Sequence, residues 1–193
     1  MSEADPMARF ELELERAAKT EAFDATRCAL ATASREGVPS VRFVLLKSSG
    51  PEGFSFYTNL QSAKARDLRD NANAALAFHW HTTGVQVRVR GSVVRVPDAE
   101  ADAYFATRPR GSQRGAWASP QSEPIADRTL LQDAVREHEV RFENLPVQRP
   151  PYWGGYRIVP NAIEFWQNQD DRLHDRELYE REGSAWRRTR LAP

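Results

Sequence analysis

The sequence predicts a mainly β fold, an antiparallel barrel with a few peripheral α-helices. From residue 28 to 96, and again from 156 onward, β-branched and aromatic residues recur in short runs with a period of two. The helical patterns between these runs are few and short. They never alternate with strands in the strict βαβ order that a doubly wound sheet requires.

"DPMARFELELERAAK" opens with Asp5 as an N-cap and Pro6 at the first helical position, and Met7, Phe10, Leu14 and Ala17 form one apolar stripe. The N-terminal helix is assigned to residues 1–20. Residues 28–47 read as two strands around the turn "REGVP", and "GFSFYTN" (53–59), "AALAFHW" (74–80) and "VQVRVRGSVVRV" (85–96) continue a meander. Ser62 is placed to cap a short helix through about Asp70, and Asp98 to cap a second that Pro109 stops. Leu131, Val135, His138 and Phe142 mark a longer helix. The Pro- and Gly-rich segment 144–156, "NLPVQRPPYWGGY", reads as a connector. After it "YRIVP", "AIEFWQ", "RLHDRELYER" and "AWRRTRL" read as strands, the last pair turning at Glu182, Gly183 and Ser184.

A chain of 193 residues fits one domain, 1–193, that buries roughly 70% of its unfolded surface without a disulfide or metal. The lone Cys28 excludes an intrachain disulfide, and no signal-like apolar stretch opens the chain, so a cytoplasmic location is expected. No run has the length of a membrane span. Lys+Arg and Asp+Glu both number 27, so nothing global draws the chain to nucleic acid or anionic lipid, and neither partner is expected. Lysines are scarce among the basic residues, which sets Lys47 and Lys64 apart.

Neither a G-x-G-x-x-G fingerprint nor a phosphate-cradling P-loop is present, so a bound nucleotide cofactor is expected to be a mononucleotide. His79 and His81 share a strand face, but without a third ligand they read as a packed aromatic strand, and no metal is expected. His138 lies on an apolar stripe and reads as a satisfied core histidine; Cys28 reads as a small buried apolar residue.

If "RLHDR" is extended, Arg172, His174 and Arg176 fall on one face and Leu173 and Asp175 on the other. A site for an anion and an exposed polar face both explain that pattern. The same two readings hold for Gln86, Arg88 and Arg90. In "VRFVLLK", Arg42 aligns with Val44 and Leu46, and Lys47 with Phe43 and Leu45, so on a regular strand the two cations serve different anions. Tyr104 and Arg108 are four apart on one helix, with Ser112 just beyond. A phenol, a guanidinium and a hydroxyl so gathered suit a phosphate, although a helix cap and a surface pair leave the same pattern.

"RFVLLK", "FYTNLQSAK", "YFATRPRGSQRGAW", "QSEPI", "YWGGYR", "IEFWQ", "RLHDRELYER" and the terminal "RLAP" together resemble the pyridoxine/pyridoxamine 5'-phosphate oxidase family, from about residue 28 to 193. The resemblance implies an FMN-binding split barrel and a homodimer with two flavins at the subunit interface. It implies oxidation of a phosphorylated pyridine, pyridoxine or pyridoxamine 5'-phosphate, by dioxygen to pyridoxal 5'-phosphate, with release of hydrogen peroxide. Carried over by residue, it implies FMN contacts at Arg42, at the backbone of Phe43, Val44, Leu45, Leu46 and Lys47, and at Tyr57, Thr58, Ser62 and Lys64. Gln86, Gln121, Ser122, Trp166 and Arg176 complete that set. Lys47, Tyr104, Arg108 and Ser112 are implied to hold the substrate phosphate. Arg172 and His174 are implied as the catalytic pair facing the pyridine ring, Arg172 over the reacting carbon and His174 on the ring substituents. Two positions depart from the family pattern, Ala63 and Val85, each where an arginine is common. The chain also begins close to its first helix, without the basic, tyrosine-bearing extension of some members. The alternatives are a sister flavin oxidase acting on an unphosphorylated phenazine precursor, and a binding module that consumes no dioxygen.

Overall fold

A computed structural model describes residues 5–193; the first four residues of the expected N-terminal helix lie outside the described residues. Helix α1 (Pro6–Thr20) begins as its sequence requires, with the Met7 N–H donating to the Asp5 carboxylate at 2.9 Å and Pro6 in the first turn. Its apolar stripe buries Met7, Phe10 and Ala17. Phe10 closes the core, its ring 4.8 Å from Phe54 and 5.0 Å from Phe78, both edge-on.

Eight strands form one antiparallel sheet: β1 (Arg27–Ala33), β2 (Pro39–Leu45), β3 (Phe54–Asn59), β4 (Asn73–Trp80), β5 (Val85–Arg95), β6 (Trp153–Gln167), β7 (Asp175–Glu182) and β8 (Ala185–Leu191). Their order is β2-β1-β4-β5-β6-β7-β8, and β3 joins β6 off this path. The branch at β6 explains why the barrel is split. Its first half pairs with β3 and its second half with β7, while β5 follows most of its opposite edge. The expected antiparallel split barrel is therefore the observed architecture. Among the described residues no helix is long and apolar enough to cross a membrane.

"YRIVP" and "AIEFWQ" are one strand, not two. Pro160 does not break β6 because it lies opposite Gly91, at a register shift where no ladder donor is needed. A Cβ at Gly91 would meet the Val159 carbonyl oxygen at 2.0 Å, so only glycine permits this approach. The connector 144–156 also ends early, at the start of β6. There a Cβ on Gly155 would sit 2.8 Å from the Tyr57 ring, so the glycine makes room for an aromatic neighbour.

Neither expected side-chain cap forms. Ser62 precedes α2 (Ala63–Asp70) but makes no cap bond; its hydroxyl donates back to the Asn59 carbonyl at 2.7 Å. Pro97, not Asp98, precedes α3 (Asp98–Thr107), and Asp98 sits in the first turn, paired with Arg149 at 3.1 Å. Pro109 stops α3 as expected and then starts α4 (Arg110–Ala118), which two glycines had disguised. Arg110 ties α4 to the end of α5 (Arg128–Arg141), donating to the carbonyls of Phe142, Glu143 (3.2 Å) and Leu145 (3.1 Å). Phe105, Phe142, Val147 and Trp153 form a second apolar cluster beneath these helices.

"RLHDR" is not extended throughout. Asp170–Arg172 form a 3-10 turn with φ of 54° at Asp171 and 61° at Arg172, and β7 starts only at Asp175. Strand alternation therefore does not place Arg172 and His174 on a common face with Arg176. The preceding "NQDD" carries turn-forming side chains, and aspartate tolerates the left-handed region better than most residues.

Candidate active site

A cleft of about 1140 Å³ runs between the edge strand β2, β3, the start of α2 and the α3–α4 corner. Arg42, Phe43, Val44, Leu45 and Lys47 border it from β2 and its exit, Tyr57 and Thr58 from β3, and Lys64, Gln121 and Ser122 from beside α2. Tyr104, Arg108 and Ser112 border it from the corner. Leu46 and Ser62 are buried behind the wall, Leu46 donating its N–H to Thr26 at 2.9 Å. Arg42 and Lys47 do differ in exposure as their odd spacing requires. Both nevertheless reach one cleft, because β2 ends at Leu45 and strand alternation no longer fixes where Lys47 lies.

Lys64 is only 8% exposed, and its Nζ donates to Thr58 Oγ1 (3.1 Å), Ser62 Oγ (3.3 Å) and Gln121 Oε1 (3.3 Å). No carboxylate among the described residues pairs with it. Burial, reinforced by Arg42, pushes its pKa down to about 8. Arg42 is held by Thr32 Oγ1 (2.6 Å) and Ser40 Oγ (2.7 Å), with Asp67 at 3.6 Å. A buried ammonium with only neutral oxygens around it, beside a second cation, suits an anion.

At the corner, aromatic stacking fixes the cation. Tyr57 lies 4.2 Å from Tyr104 and 5.4 Å from Trp153, and the Arg108 guanidinium sits 4.7 Å over the Trp153 ring. Arg108 Nη1 is buried with no partner among the described residues, an orphaned donor beside Tyr104 and Ser112. Tyr57 donates to Glu100 at 3.3 Å, and Arg157 Nη2 holds both Glu100 oxygens at 2.8 and 2.7 Å. Burial first, then Glu100, pushes the Tyr57 pKa up to about 12. Glu100 and Trp153 were not among the sequence candidates: no motif marks the first, and the second hid in a Pro/Gly-rich segment.

Gln86, Trp166, Arg172, His174 and Arg176 do not line this cleft. Gln86, Trp166 and Arg176 form a row across β5, β6 and β7 on the outer face of the sheet. The His174 ring lies 4.4 Å from Trp166, and its Nδ1 accepts from the Gln169 N–H at 3.3 Å. Beside this row Ala29, Ala31, Ala75, Ala77 and Leu178 line an apolar groove of about 450 Å³. On β2, Val41 and Phe43 are 68% and 73% exposed. Apolar side chains on a sheet face and an edge strand mark a surface that another chain covers. All three non-glycine residues with positive φ among those described, Ser122, Asp171 and Arg172, lie in or beside these two groups.

Among the described residues no three metal-ligating side chains cluster, and His79 and His81 are exposed neighbours 6.4 Å apart. Cys28 is buried, its thiol pushed up to about 12 by that burial. His138 packs against Trp117 and Phe142 as expected but is not satisfied, since its buried Nδ1 finds no partner among the described residues.

A family model described as pyridoxamine 5'-phosphate oxidase matches residues 14–142, and one described as the pyridoxine 5'-phosphate oxidase C-terminal dimerisation region matches residues 153–193. The chain is 54% identical over 189 residues to the pyridoxine/pyridoxamine 5'-phosphate oxidase of Anaeromyxobacter dehalogenans, covering 98% of this chain and 96% of the relative. It is 50% identical to that of Rubrobacter xylanophilus, covering 100% and 88%. PhzG from Burkholderia lata, solved with tetrahydrophenazine-1-carboxylic acid, superposes with a TM-score of 0.93 at 32% identity, covering 98% and 93%. The first match spans every residue named on the cleft wall except Trp153, and the second spans Trp166, Arg172, His174 and Arg176. A split antiparallel barrel, a cationic cleft and two family matches in sequence along the chain lead to one conclusion: the chain belongs to the pyridoxamine 5'-phosphate oxidase family.

Proposed function

We propose that the chain is an FMN-dependent oxidase, acting as a cytoplasmic homodimer in vitamin B6 metabolism. It converts pyridoxine or pyridoxamine 5'-phosphate and dioxygen to pyridoxal 5'-phosphate and hydrogen peroxide, with water consumed and ammonia released from the amine. The observation that carries this reading is the presence of two cationic sets on one cleft, Arg42 with Lys64 and Lys47 with Arg108. Two anions need holding, the phosphate of the cofactor and that of the substrate.

The residues fit FMN: a buried lysine lacks a carboxylate partner among the described residues, three neutral acceptors orient it, and no dinucleotide fingerprint accompanies them. When bound, FMN would supply an acceptor for a hydride from the exocyclic 4' carbon of the substrate and a route for the two electrons to dioxygen. In this reading Arg42, Lys64, Thr58, Gln121 and Ser122 hold the FMN phosphate end, and the backbone from Phe43 on β2 to Lys47 just beyond it follows the rest. Ser62 acts behind them by orienting Lys64. Lys47, Tyr104, Arg108 and Ser112 bind the substrate phosphate, with the unpartnered Nη1 of Arg108 as a ready donor. Stacking on Trp153 orders that guanidinium before substrate arrives, so less conformational freedom is lost on binding. The phosphate anchor supplies remote binding energy that orients the pyridine ring.

Gln86, Trp166 and Arg176 serve the flavin of the partner copy, and Arg172 and His174 of that copy face the substrate ring. Their separation from the cleft within one chain supports this division, as does the place of Trp166, Arg172, His174 and Arg176 in the dimerisation region, with Gln86 paired to Trp166. The likeness to PhzG makes tetrahydrophenazine oxidation the competing activity, and the substrate phosphate set argues against it. Peroxide release from pyridoxine 5'-phosphate, pyridoxine and tetrahydrophenazine-1-carboxylic acid separates the two. The proposal expects turnover to be concentrated on the phosphorylated substrate; equal turnover of pyridoxine, or preference for the phenazine, overturns it.

A further inference from the structure

Beside the row Gln86–Trp166–Arg176 lies a second cross-strand row, two residues along, in which Arg88 on β5 pairs with Glu164 on β6. Glu164 is 5% exposed and, with Arg88 and Arg176, borders a groove whose remaining lining is almost all apolar. Arg176 approaches one carboxylate oxygen with Nε at 3.0 Å and Nη2 at 2.9 Å, and Arg88 Nη2 holds the other oxygen. Arg176 Nη1 also donates to the Ala192 carbonyl at 2.9 Å. With each nitrogen engaged once, two of its five N–H donors remain.

A buried ion pair has a desolvation cost that its attraction only offsets, and exchanging the whole set for apolar residues is often neutral for folding, whereas removing one partner is not. Stability therefore does not explain why an ionic set rather than an apolar one stands here, whereas orientation of Arg176 does. A planar fork held at Nε and Nη2 cannot rotate about its last bonds, so its remaining donors are aimed before any ligand binds. Arg88 keeps the second oxygen engaged, so the carboxylate cannot swing away from Arg176.

We propose that Glu164 is a positioning residue of the flavin site, acting through Arg176. It fixes the guanidinium so that its remaining donors meet the flavin carried by the partner copy. The inference rests on the proposed function, in which Arg176 contacts that flavin.

The test titrates FMN into flavin-free dimers of the wild type, Glu164→Gln, Glu164→Asp, Arg176→Met and the Glu164→Gln/Arg176→Met double variant, following flavin fluorescence. Glu164→Gln should weaken FMN binding about tenfold, Glu164→Asp less, and the double variant should bind no more weakly than Arg176→Met alone. Full additivity of the two losses overturns the proposal, as does wild-type affinity in both Glu164 variants. If Glu164→Gln yields no dimer by light scattering, Glu164→Asp and its double with Arg176→Met complete the same cycle. Tight FMN binding by Arg176→Met overturns the positioning role together with the Arg176 contact to the flavin, while leaving the oxidase reading intact; a wild type that binds no FMN overturns both.

Discussion

Replacing Lys64 by methionine should make the flavin-free protein more stable and the flavin complex weaker. Burial holds the Lys64 pKa at about 8, against 10.5 for the free side chain. Keeping that ammonium charged at neutral pH costs the folded state about 3 kcal/mol. Because the folded pKa lies below the unfolded one, the cost is complete below about pH 8 and falls away as pH rises toward 10.5, so the flavin-free wild type gains stability over that interval. Methionine removes the cost but leaves Thr58, Ser62 and Gln121 without their donor, which returns roughly 1–2 kcal/mol and leaves a net gain of similar size. A phosphate reverses the balance, since its loss of a charge-assisted contact weakens FMN binding about ten- to a hundred-fold. In the wild type, FMN must reprotonate Lys64 above about pH 8, so log Kd should climb by up to about one per pH unit. The phosphate of free FMN titrates near about pH 6, outside that window. Titrating FMN and riboflavin into flavin-free protein between about pH 6.5 and 9.5 isolates the effect, because riboflavin lacks the phosphate. Equal slopes for the two flavins, or wild-type FMN affinity in Lys64→Met, would mean that Lys64 does not hold the phosphate.

Arg108→Met should raise KM for pyridoxine 5'-phosphate about ten- to a hundred-fold with little change in kcat, and leave oxidation of unphosphorylated pyridoxine unaffected. Steady-state kinetics with both substrates checks it; parallel losses would assign Arg108 to the fold. Arg172→Ala and His174→Ala should keep FMN but slow flavin reduction in anaerobic single-turnover experiments, and wild-type rates would make that turn a solvated loop. Phe43→Asp puts a charge on an exposed apolar edge and should release monomer and FMN together. Light scattering with flavin absorbance follows both, and a monomer that retains FMN would contradict a shared site.

What the sequence made legible was what short-range chemistry decides. Asp5, Pro6 and the Met7–Phe10–Ala17 stripe specify α1 without help from the rest of the chain, and the period-two runs give β1 to β5. Tyr104, Arg108 and Ser112 converge as their spacing suggested, even though the helix breaks between them at Pro109. What stayed hidden depends on partners distant in sequence. Pro160 looks like a strand end until Gly91 is seen opposite it. Arg172 and His174 look like strand neighbours of Arg176 because alternation cannot register a left-handed turn at Asp171. Glu164 carried a faint signal, an acid between the core residues Ile163 and Phe165, but its meaning lies in Arg88 and Arg176 on the flanking strands. The split of the site residues between cleft and outer sheet face could not be read from spacing; only the family resemblance, which implies that Trp166 and Arg176 reach a flavin held mainly by the other subunit, pointed to it.

The most direct measurement mixes FMN-reconstituted protein with pyridoxamine 5'-phosphate in the absence of dioxygen and records the visible flavin absorbance. The account predicts bleaching with one pyridoxal 5'-phosphate formed per flavin, then return of colour with one hydrogen peroxide per flavin when air is admitted. A flavin that stays oxidised with this substrate, or that unphosphorylated pyridoxamine reduces equally fast, would contradict it.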